Sequence, residues 1–247
     1  MSLEPLSRFV VCSDIHGNLP ALKTFLEKID SEGYDRVFCC GDIVGYGAHP
    51  NECCELIRRR DIPVVLGNHD QAAVSPSLIE YFNDAAREAI RWTHDALTRE
   101  NREYLRNLPY AITEGDFTFV HASPHHPEDW DYILTLDEAE MNFAYFENWV
   151  CFIGHSHQPF IVELSSAGVR SLVEPQVTLS RDKRYLVNVG SIGQPRDRVP
   201  LLCYATFDLG DGTLTFHRVP YPVGESRQAI LDAGLPVELA ERLEHGW

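Results

Sequence analysis

The order of apolar runs predicts an α/β protein built on a parallel sheet. Three observations carry that expectation. Residues 9–66 read strand, helix, strand, helix, strand; five apolar runs end abruptly at Asp, Asn or His; and beyond His157 the chain changes to short strands separated by turns. Strands alternating with helices imply parallel pairing through right-handed crossovers. Polar residues at the C-terminal ends of such strands stand where open α/β sheets bind ligands.

Phe9-Val10-Val11-Cys12 is continuously apolar, the pattern of a strand buried on both faces, and it ends at Asp14-Ile15-His16. Leu19-Pro20 opens a helix through about Ile29, with Leu22, Phe25, Leu26 and Ile29 on one face and Gly33 closing it. Val37–Cys40 is a second strand, ending at Gly41-Asp42 with Gly45 and Gly47 in the loop beyond. Pro50 opens a helix to about Arg60, and Ile62–Leu66 reads as a third strand ending at Gly67-Asn68-His69-Asp70.

Residues 77–107 predict a helical insertion beside the strand ends. Ile79, Phe82, Ala86, Ala89, Ile90 and Thr93 mark one face, and Thr98–Asn107 forms a second helix that stops before Pro109. Phe117–Val120 resumes the sheet and delivers His121; residues 123–130 form a loop at the mouth of the site. A helix over Asp137–Asn148 and a strand over Val150–Ile153 lead to Gly154-His155-Ser156-His157. Short strands at 160–164, 170–173, 185–189, 202–208 and 214–219 predict that residues 158–220 form an antiparallel second sheet packed on the first. The tail from about Glu225 is expected to be helical and to cover an edge. With no linker, repeat or low-complexity run, residues 1–247 are expected to form a single domain.

Composition bounds the function. With 37 acidic against 21 basic residues the formal charge is −16, which argues against a nucleic-acid polymer as partner. An acidic chain that handles phosphate needs local positive charge, and bound cations are one source. Seven cysteines, an odd number set mostly in apolar runs, suggest buried thiols in a reducing compartment. The pairs Cys39-Cys40 and Cys53-Cys54 lack the spacing of common zinc knuckles, and neighbours on a strand point to opposite faces. No signal peptide opens the chain and no apolar run approaches the ~18–20 residues of a membrane span, so the expected location is cytoplasmic, with no membrane partner. Met1-Ser2-Leu3 reads as partly an expression remnant.

Collected from the strand ends, the chemistry-bearing set is Asp14-x-His16, Gly41-Asp42-x-x-Gly45, Gly67-Asn68-His69-Asp70, His121 and Gly154-His155-x-His157. Any one of these alone would be a turn or a cap. Together, three side-chain oxygen donors and four imidazoles suffice for two divalent cations, with Asp42, central in the order, as the natural bridge. Mixed nitrogen and oxygen donors suit Mn, Fe, Ni, Co or Zn better than Mg or Ca. Paired cations clamp the attacking and leaving oxygens of a phosphoryl displacement and acidify a shared water. His49, His94, His125, His126 and His217 match no motif and are expected on the surface or in loops, with His125 or His126 within reach of a substrate at the mouth.

The five motifs, in this order over residues 14–157, resemble those of the calcineurin-like metallophosphoesterases. The resemblance implies a four-layer αββα sandwich carrying the helical insertion. It assigns Asp14, His16 and His157 to one metal, Asn68, His121 and His155 to the other, and Asp42 to both. His69 would stabilise the transition state and protonate the leaving oxygen. The activity implied is hydrolysis of small phosphoesters, phosphodiesters or nucleotide phosphoanhydrides by hydroxide bridging two transition-metal ions, manganese first among them. One rival is a phosphoprotein phosphatase. In that branch the second motif continues with an Asp that supports the catalytic His and an Arg that grips phosphate; here Gly45-Tyr46 stand at those places. The other rival is a catalytically silent metal-binding scaffold, against which stands the complete set with His69 included. The chain looks closer to the small bacterial and archaeal phosphodiesterase and dinucleoside-polyphosphate hydrolase branch, which shares a segment like Asn188–Asp197. There Arg196 either supplies the missing phosphate fork or only pairs with surface acids. The expected partner is a small phosphorylated substrate, nucleotides included. Tyr46, Trp130 and Tyr132 either stack on a base or serve as packing.

Overall fold

Residue alternation along a few strands sets the layering. In the computed structural model, which describes residues 7–247 and so leaves Met1-Ser2-Leu3 outside, β1 (Arg8–Cys12) turns Phe9 and Val11 to one face and Val10 and Cys12 to the other. Both faces being apolar, β1 needs cover on each. α1 (Leu19–Asp30) supplies it on one side through Leu22, Phe25, Leu26 and Ile29. β2 (Arg36–Cys39) pairs parallel to β1, and α2 (Pro50–Arg59) adds Cys53, Cys54 and Ile57 to the same layer.

The expected third strand at 62–66 is reduced to one bridge, Val64 against Cys39. Pro63 has no N–H to donate, and the Leu66 N–H turns away to the Pro109 carbonyl (2.7 Å), so the ladder stops there. Gly67 then caps α3 (Asn68–Val74), a helix where a strand-end loop was expected. The predicted insertion follows as a 3₁₀ turn at Pro76–Tyr81, α4 (Asp84–Ala96) and α5 (Arg99–Arg106), with Asn83 and Thr98 accepting from Ala86 and Asn101 amides at the two N-caps.

β3 (Ala111–Glu114) pairs antiparallel with β4 (Phe117–Val120). α6 (Leu136–Asn142) is shorter than the expected 137–148 helix: Phe143 and Phe146 turn into the core and their carbonyls are taken by Arg184. β5 (Val150–Ile153), β6 (Phe160–Ser165), β7 (Gly168–Leu172), β8 (Gln176–Thr178), β9 (Arg184–Asn188), β10 (Leu202–Asp208) and β11 (Thr213–Val219) follow.

Residues 158–220 do not make a sheet of their own, contrary to the expectation. One sheet runs β2-β1-β10-β11-β8 and the other β3-β4-β5-β9-β6-β7. A strand apolar on both faces belongs inside a sheet, so β1 is paired on both edges, by β2 and by β10. For the same reason β5 lies between β4 and β9, parallel to both. β4 and β5 therefore belong to the sheet opposite β1 rather than extending it.

The sheets meet through an aromatic layer. Phe9 touches Phe38, Phe117, Phe152 and Phe207 at centroid distances of 5.7, 4.9, 5.9 and 5.5 Å, and Phe38 stacks on Phe119 at 4.3 Å. Outside the second sheet, Val120, Cys151, Ile153 and Leu186 pack under α6. The layers are thus helix, sheet, sheet, helix, the αββα sandwich that the resemblance implied. α7 (Val223–Asp232) and α8 (Val237–His245) cover Tyr46, α1 and α4 instead of a sheet edge.

All seven cysteines are buried and unpaired, and Cys39 and Cys40 face different cores. No cluster of three candidate metal ligands among the described residues includes a cysteine. No helix among them is long and apolar enough to cross a membrane.

Candidate metal centre

The C-terminal ends of β1, β2, β4 and β5, with the first turn of α3, converge on one point between the two sheets. The loops are locked to each other by backbone. Asp14 N–H donates to Gly41 O (3.0 Å), His16 N–H to Asp42 O (2.9 Å) and Gly154 N–H to His121 O (2.8 Å). Carboxylates complete the ties: Asp14 Oδ2 accepts from His155 N–H (3.0 Å), and Asp42 Oδ1 from His69 N–H (2.9 Å). Two glycines permit these approaches. A Cβ on Gly67 would lie 2.0 Å from Asp42 Oδ1, and one on Gly154 would lie 1.9 Å from Ser13 Oγ.

Five of the seven predicted ligands hold left-handed backbone: Asp14 (φ 55°), His16 (51°), Asp42 (55°), His155 (66°) and His157 (59°). That conformation costs a non-glycine residue roughly 1–2 kcal/mol. Five such residues at one place aim successive side chains inward from loops that would otherwise splay them, a concentration of strain typical of functional sites.

The imidazoles are oriented by carbonyls. His16, His121 and His157 each place Nδ1 against a backbone oxygen, of Val44 (3.1 Å), Cys40 (2.7 Å) and Gln194 (2.5 Å). A carbonyl only accepts, so each Nδ1 carries a proton and each Nε2 is the inward atom, whose lone pair is available to a cation once any second proton has left. Those lone pairs converge: His16 Nε2 is 3.0 Å from His157 Nε2, and His121 Nε2 is 3.2 Å from His155 Nδ1 and 3.0 Å from Asn68 Oδ1. Asp14 Oδ1 lies 3.3 Å from His157 Nε2; Asp42 Oδ2 lies 3.6 Å from His16 Nε2 and 3.4 Å from His121 Nε2. Asp14 Oδ1 accepts no hydrogen bond although buried. Facing lone pairs and an orphaned carboxylate oxygen, all within one water-excluded cluster, fit divalent cations and little else.

All seven predicted ligands are therefore brought together. Asp14, His16 and His157 form one triplet, Asp14, Asp42 and His121 a second, and His16, Asp42 and His69 a third, with the donor atoms of each within 4.8 Å of one another. Asn68 and His155 flank His121, and Asp42 is shared by the second and third triplets.

Burial alone would raise the Asp14 and Asp42 carboxyls, but the surrounding imidazoles, His157 for Asp14 and His121 for Asp42, outweigh it and hold both well below the usual carboxylate range. Burial pushes His16 and His157 down, His69 to about 4 and His155 to about 3. His121 differs: burial opposes its charge, yet the Asp42 carboxylate raises it to about 9.

His69 is 4% exposed, with ring contacts to Tyr46 (4.4 Å), His16 (4.9 Å) and Phe82 (4.9 Å), and it lines a cleft of about 710 Å³. Arg196 lines the same cleft, donating to Tyr46 Oη (3.2 Å) and Gln194 Oε1 (2.9 Å). Among the described residues it pairs with no surface acid. Tyr46, Trp130 and Tyr132 also line the cleft; Tyr132 stacks on His155 at 3.9 Å, and Tyr46, 6% exposed, packs on His16 and His69. His125 and His126 do not reach the cleft: His125 lies against Tyr145 (4.1 Å) and is tied to Ser123. His94 and His217 are occupied by Ala73 O and Thr206 Oγ1.

Asp70 closes the Gly67-Asn68-His69-Asp70 motif. Its carboxylate accepts from Val44 N–H (3.0 Å) and Gly67 N–H (3.3 Å), clamping the Asp42 loop to the start of α3. Burial and the Asp42 charge push it up to about 7. Its signal in the sequence was the spacing from Gly67, an N-cap followed three residues later by an acid.

A family model described as the calcineurin-like phosphoesterase superfamily domain matches residues 8–212. The crystal structure of a metallophosphoesterase from Sphaerobacter thermophilus is similar at a TM-score of 0.86 and 38% identity, covering 98% of this chain and 100% of that one. An uncharacterised protein of Methanocaldococcus jannaschii is 42% identical over 241 residues, 96% of this chain and 97% of its own length. A symmetrical bis(5'-nucleosyl)-tetraphosphatase of Haemophilus ducreyi is 31% identical over 142 residues, 53% of this chain and 51% of that one.

Proposed function

Since the chain belongs to the calcineurin-like phosphoesterase superfamily, we propose that it hydrolyses small phosphoesters with two divalent transition-metal ions, manganese first among the candidates. The observation that carries the reading is the imidazole geometry: three histidines tied through Nδ1 to carbonyls turn their Nε2 lone pairs onto the same two carboxylates.

Asp14, His16 and His157 would hold one cation, Asn68, His121 and His155 the other, and Asp42 both. Bound there, the cations would supply charge for the phosphoryl oxygens and would acidify water enough for attack near neutral pH. His69, at the cleft wall, is neutral in the free site because of burial; it would orient the reacting phosphoryl group and, once the charge of the bound phosphate has drawn a proton onto it, deliver that proton to the leaving oxygen, a role worth roughly 10²–10⁴-fold. Arg196 would grip a phosphate oxygen from the facing wall.

The tetraphosphatase relative supports including nucleotide phosphoanhydrides among the substrates, beside phosphodiesters. Gly45 counts against a phosphoprotein phosphatase, because a side chain there would overlap His69. Seven unpaired, buried thiols support a cytoplasmic setting.

The test is hydrolysis by metal-stripped protein reloaded with Mn²⁺, using p-nitrophenyl phosphate, its bis ester and diadenosine tetraphosphate in parallel, with His69→Ala as control. Metal-dependent turnover that falls at least about 10²-fold in the variant is expected. Turnover that survives metal removal, or that ignores the substitution, overturns the mechanism.

A further inference from the structure

The cleft beside the metal-ligand cluster carries a second arginine that no sequence motif marks. Arg242 reaches it from α8, near the C-terminal end of the chain, and shares the cleft wall with Asn68, His69, His155 and Arg196. Arg242 Nη1 donates to Gln194 Oε1 at 3.2 Å, the same oxygen that Arg196 engages through Nη2 (2.9 Å) and Nε (3.3 Å). Both guanidinium groups also lie over one ring, that of Tyr46, at 5.6 and 5.9 Å from its centroid. Tyr46 in turn packs on His16 (4.6 Å) and His69 (4.4 Å). One aromatic ring therefore separates two positive charges from the catalytic candidate.

Among the described residues neither arginine has a carboxylate partner, and the guanidinium hydrogen bonds go to Gln194 and Tyr46. Arg242 Nε is buried with no acceptor among the described residues. In a chain of charge −16, acids were available to neutralise this pair, yet a neutral amide oxygen was placed between them. Two like charges sharing one neutral acceptor repel, and an anion is the group that relieves them. Burial, followed by the neighbouring Arg196 charge, disfavours the charged form of Arg242 in the free protein.

The pair is rigidly built. Leu239, Ala240 and Leu243 of α8 are buried with Tyr46, and the end of the helix is fixed by Arg198 N–H donating to Gly246 O (2.7 Å), two residues from Arg196. Gly246 is left-handed (φ 66°), and a Cβ there would meet Val199 N at 2.8 Å. Arg196 and Arg242 thus cannot drift apart without unseating the helix.

We propose that Arg242 and Arg196, spanning Tyr46, form a second anion subsite that binds a non-reacting phosphate of the substrate, so that the preferred substrates carry at least two phosphates. This rests on the phosphohydrolase reading above and narrows it. Simple monoesters would use the metal end of the cleft alone.

The test is calorimetric binding of inorganic phosphate and of pyrophosphate to the Mn²⁺-loaded full chain, for the wild type, Arg242→Gln and Arg242→Lys. The wild type is expected to prefer pyrophosphate by at least 10-fold. Arg242→Gln should lower that preference about 10- to 100-fold, the scale of one charge-assisted hydrogen bond, and Arg242→Lys should restore part of it. Gln194→Glu supplies an independent variant if Arg242→Gln does not fold: its carboxylate would occupy the guanidinium pair and abolish the preference. Equal affinity of the wild type for both anions, or a preference untouched by these substitutions, overturns the subsite while leaving the phosphohydrolase reading intact. A wild type that binds neither anion overturns both.

Discussion

A methyl group on Gly45 would lie 2.6 Å from His69 Nδ1 and 3.0 Å from its Cβ, and Gly45 holds φ at +93°, outside ordinary L-residue space. The residue is therefore a seat for the imidazole, which explains why the acidic residue of the phosphoprotein phosphatase motif has no room here. Gly45→Ala is expected to cost about 1–3 kcal/mol through backbone strain alone. Displacing the ring by about 1 Å would also reduce kcat about 10²-fold. Thermal melts and kcat on whichever substrate proves active check the two effects separately, and an alanine variant with wild-type kcat would show that His69 is held some other way. Residue types at this scale were legible: every oxygen and imidazole donor stands in a short polar motif that ends an apolar run. Their aim was not. Whether His157 presents Nε2 or Nδ1 depends on the Gln194 carbonyl, 37 residues away, and no periodicity encodes that partner. Left-handed φ at Asp14, His16, Asp42, His155 and His157 is equally silent, since none of these is glycine.

At the level of elements, helical periodicity located α1 and α4, each of which buries a single stripe, while Pro50 marked the start of α2 and Pro109 the stop beyond α5. α3 was missed for a physical reason: Gly67-Asn68-His69-Asp70 carries turn formers, and the same residues serve as an N-cap and first helical turn once Asp70 reaches back to the Gly67 amide. Strand membership was illegible in a different way. Alternation in β10 separates Tyr204 from Ala205 and Phe207 but says nothing about which sheet they join, and pairing with β1 decides it. The α7–α8 hairpin shows what an element contributes beyond its own contacts. Leu239, 1% exposed, sits in the cluster that presses α8 onto Tyr46. Leu239→Ala is expected to destabilise the protein by about 2–5 kcal/mol through the cavity it leaves. Urea unfolding followed by tyrosine and tryptophan fluorescence should show the midpoint falling with the slope unchanged. A loss under 1 kcal/mol would mean that the hairpin is seated by its backbone ties, such as Arg198 to Gly246, instead of by this contact.

For the whole molecule, the cluster lies where the two sheets meet. Asp14, His16 and Asp42 follow β1 and β2 in one sheet, while His121, His155 and His157 follow β4 and β5 in the other. The aromatic layer around Phe9 joins the sheets through their middle, and the ligand loops join them at one end, where two buried carboxylates and converging lone pairs make the free site electrostatically costly. Cations bound there would cross-link the sheets and would have no comparable site in the unfolded chain. Metal binding should then appear as folding stability: at a free Mn²⁺ concentration about 100 times the dissociation constant, the linkage supplies about 2.7 kcal/mol. For a chain of this length that corresponds to a rise in Tm of about 5–10 °C over the chelator-treated protein. Asp14→Asn, which keeps the volume and removes the charge nearest His157, should abolish most of the rise and also lower the Tm of the metal-free protein, because the neighbouring imidazoles hold this carboxyl ionised, and so stabilising, in the free site. Differential scanning calorimetry in Mn²⁺ and in EDTA distinguishes the outcomes. Identical melts for the wild type in both would mean that the converging imidazoles hold no cation with useful affinity, and the phosphohydrolase reading would fall with that result.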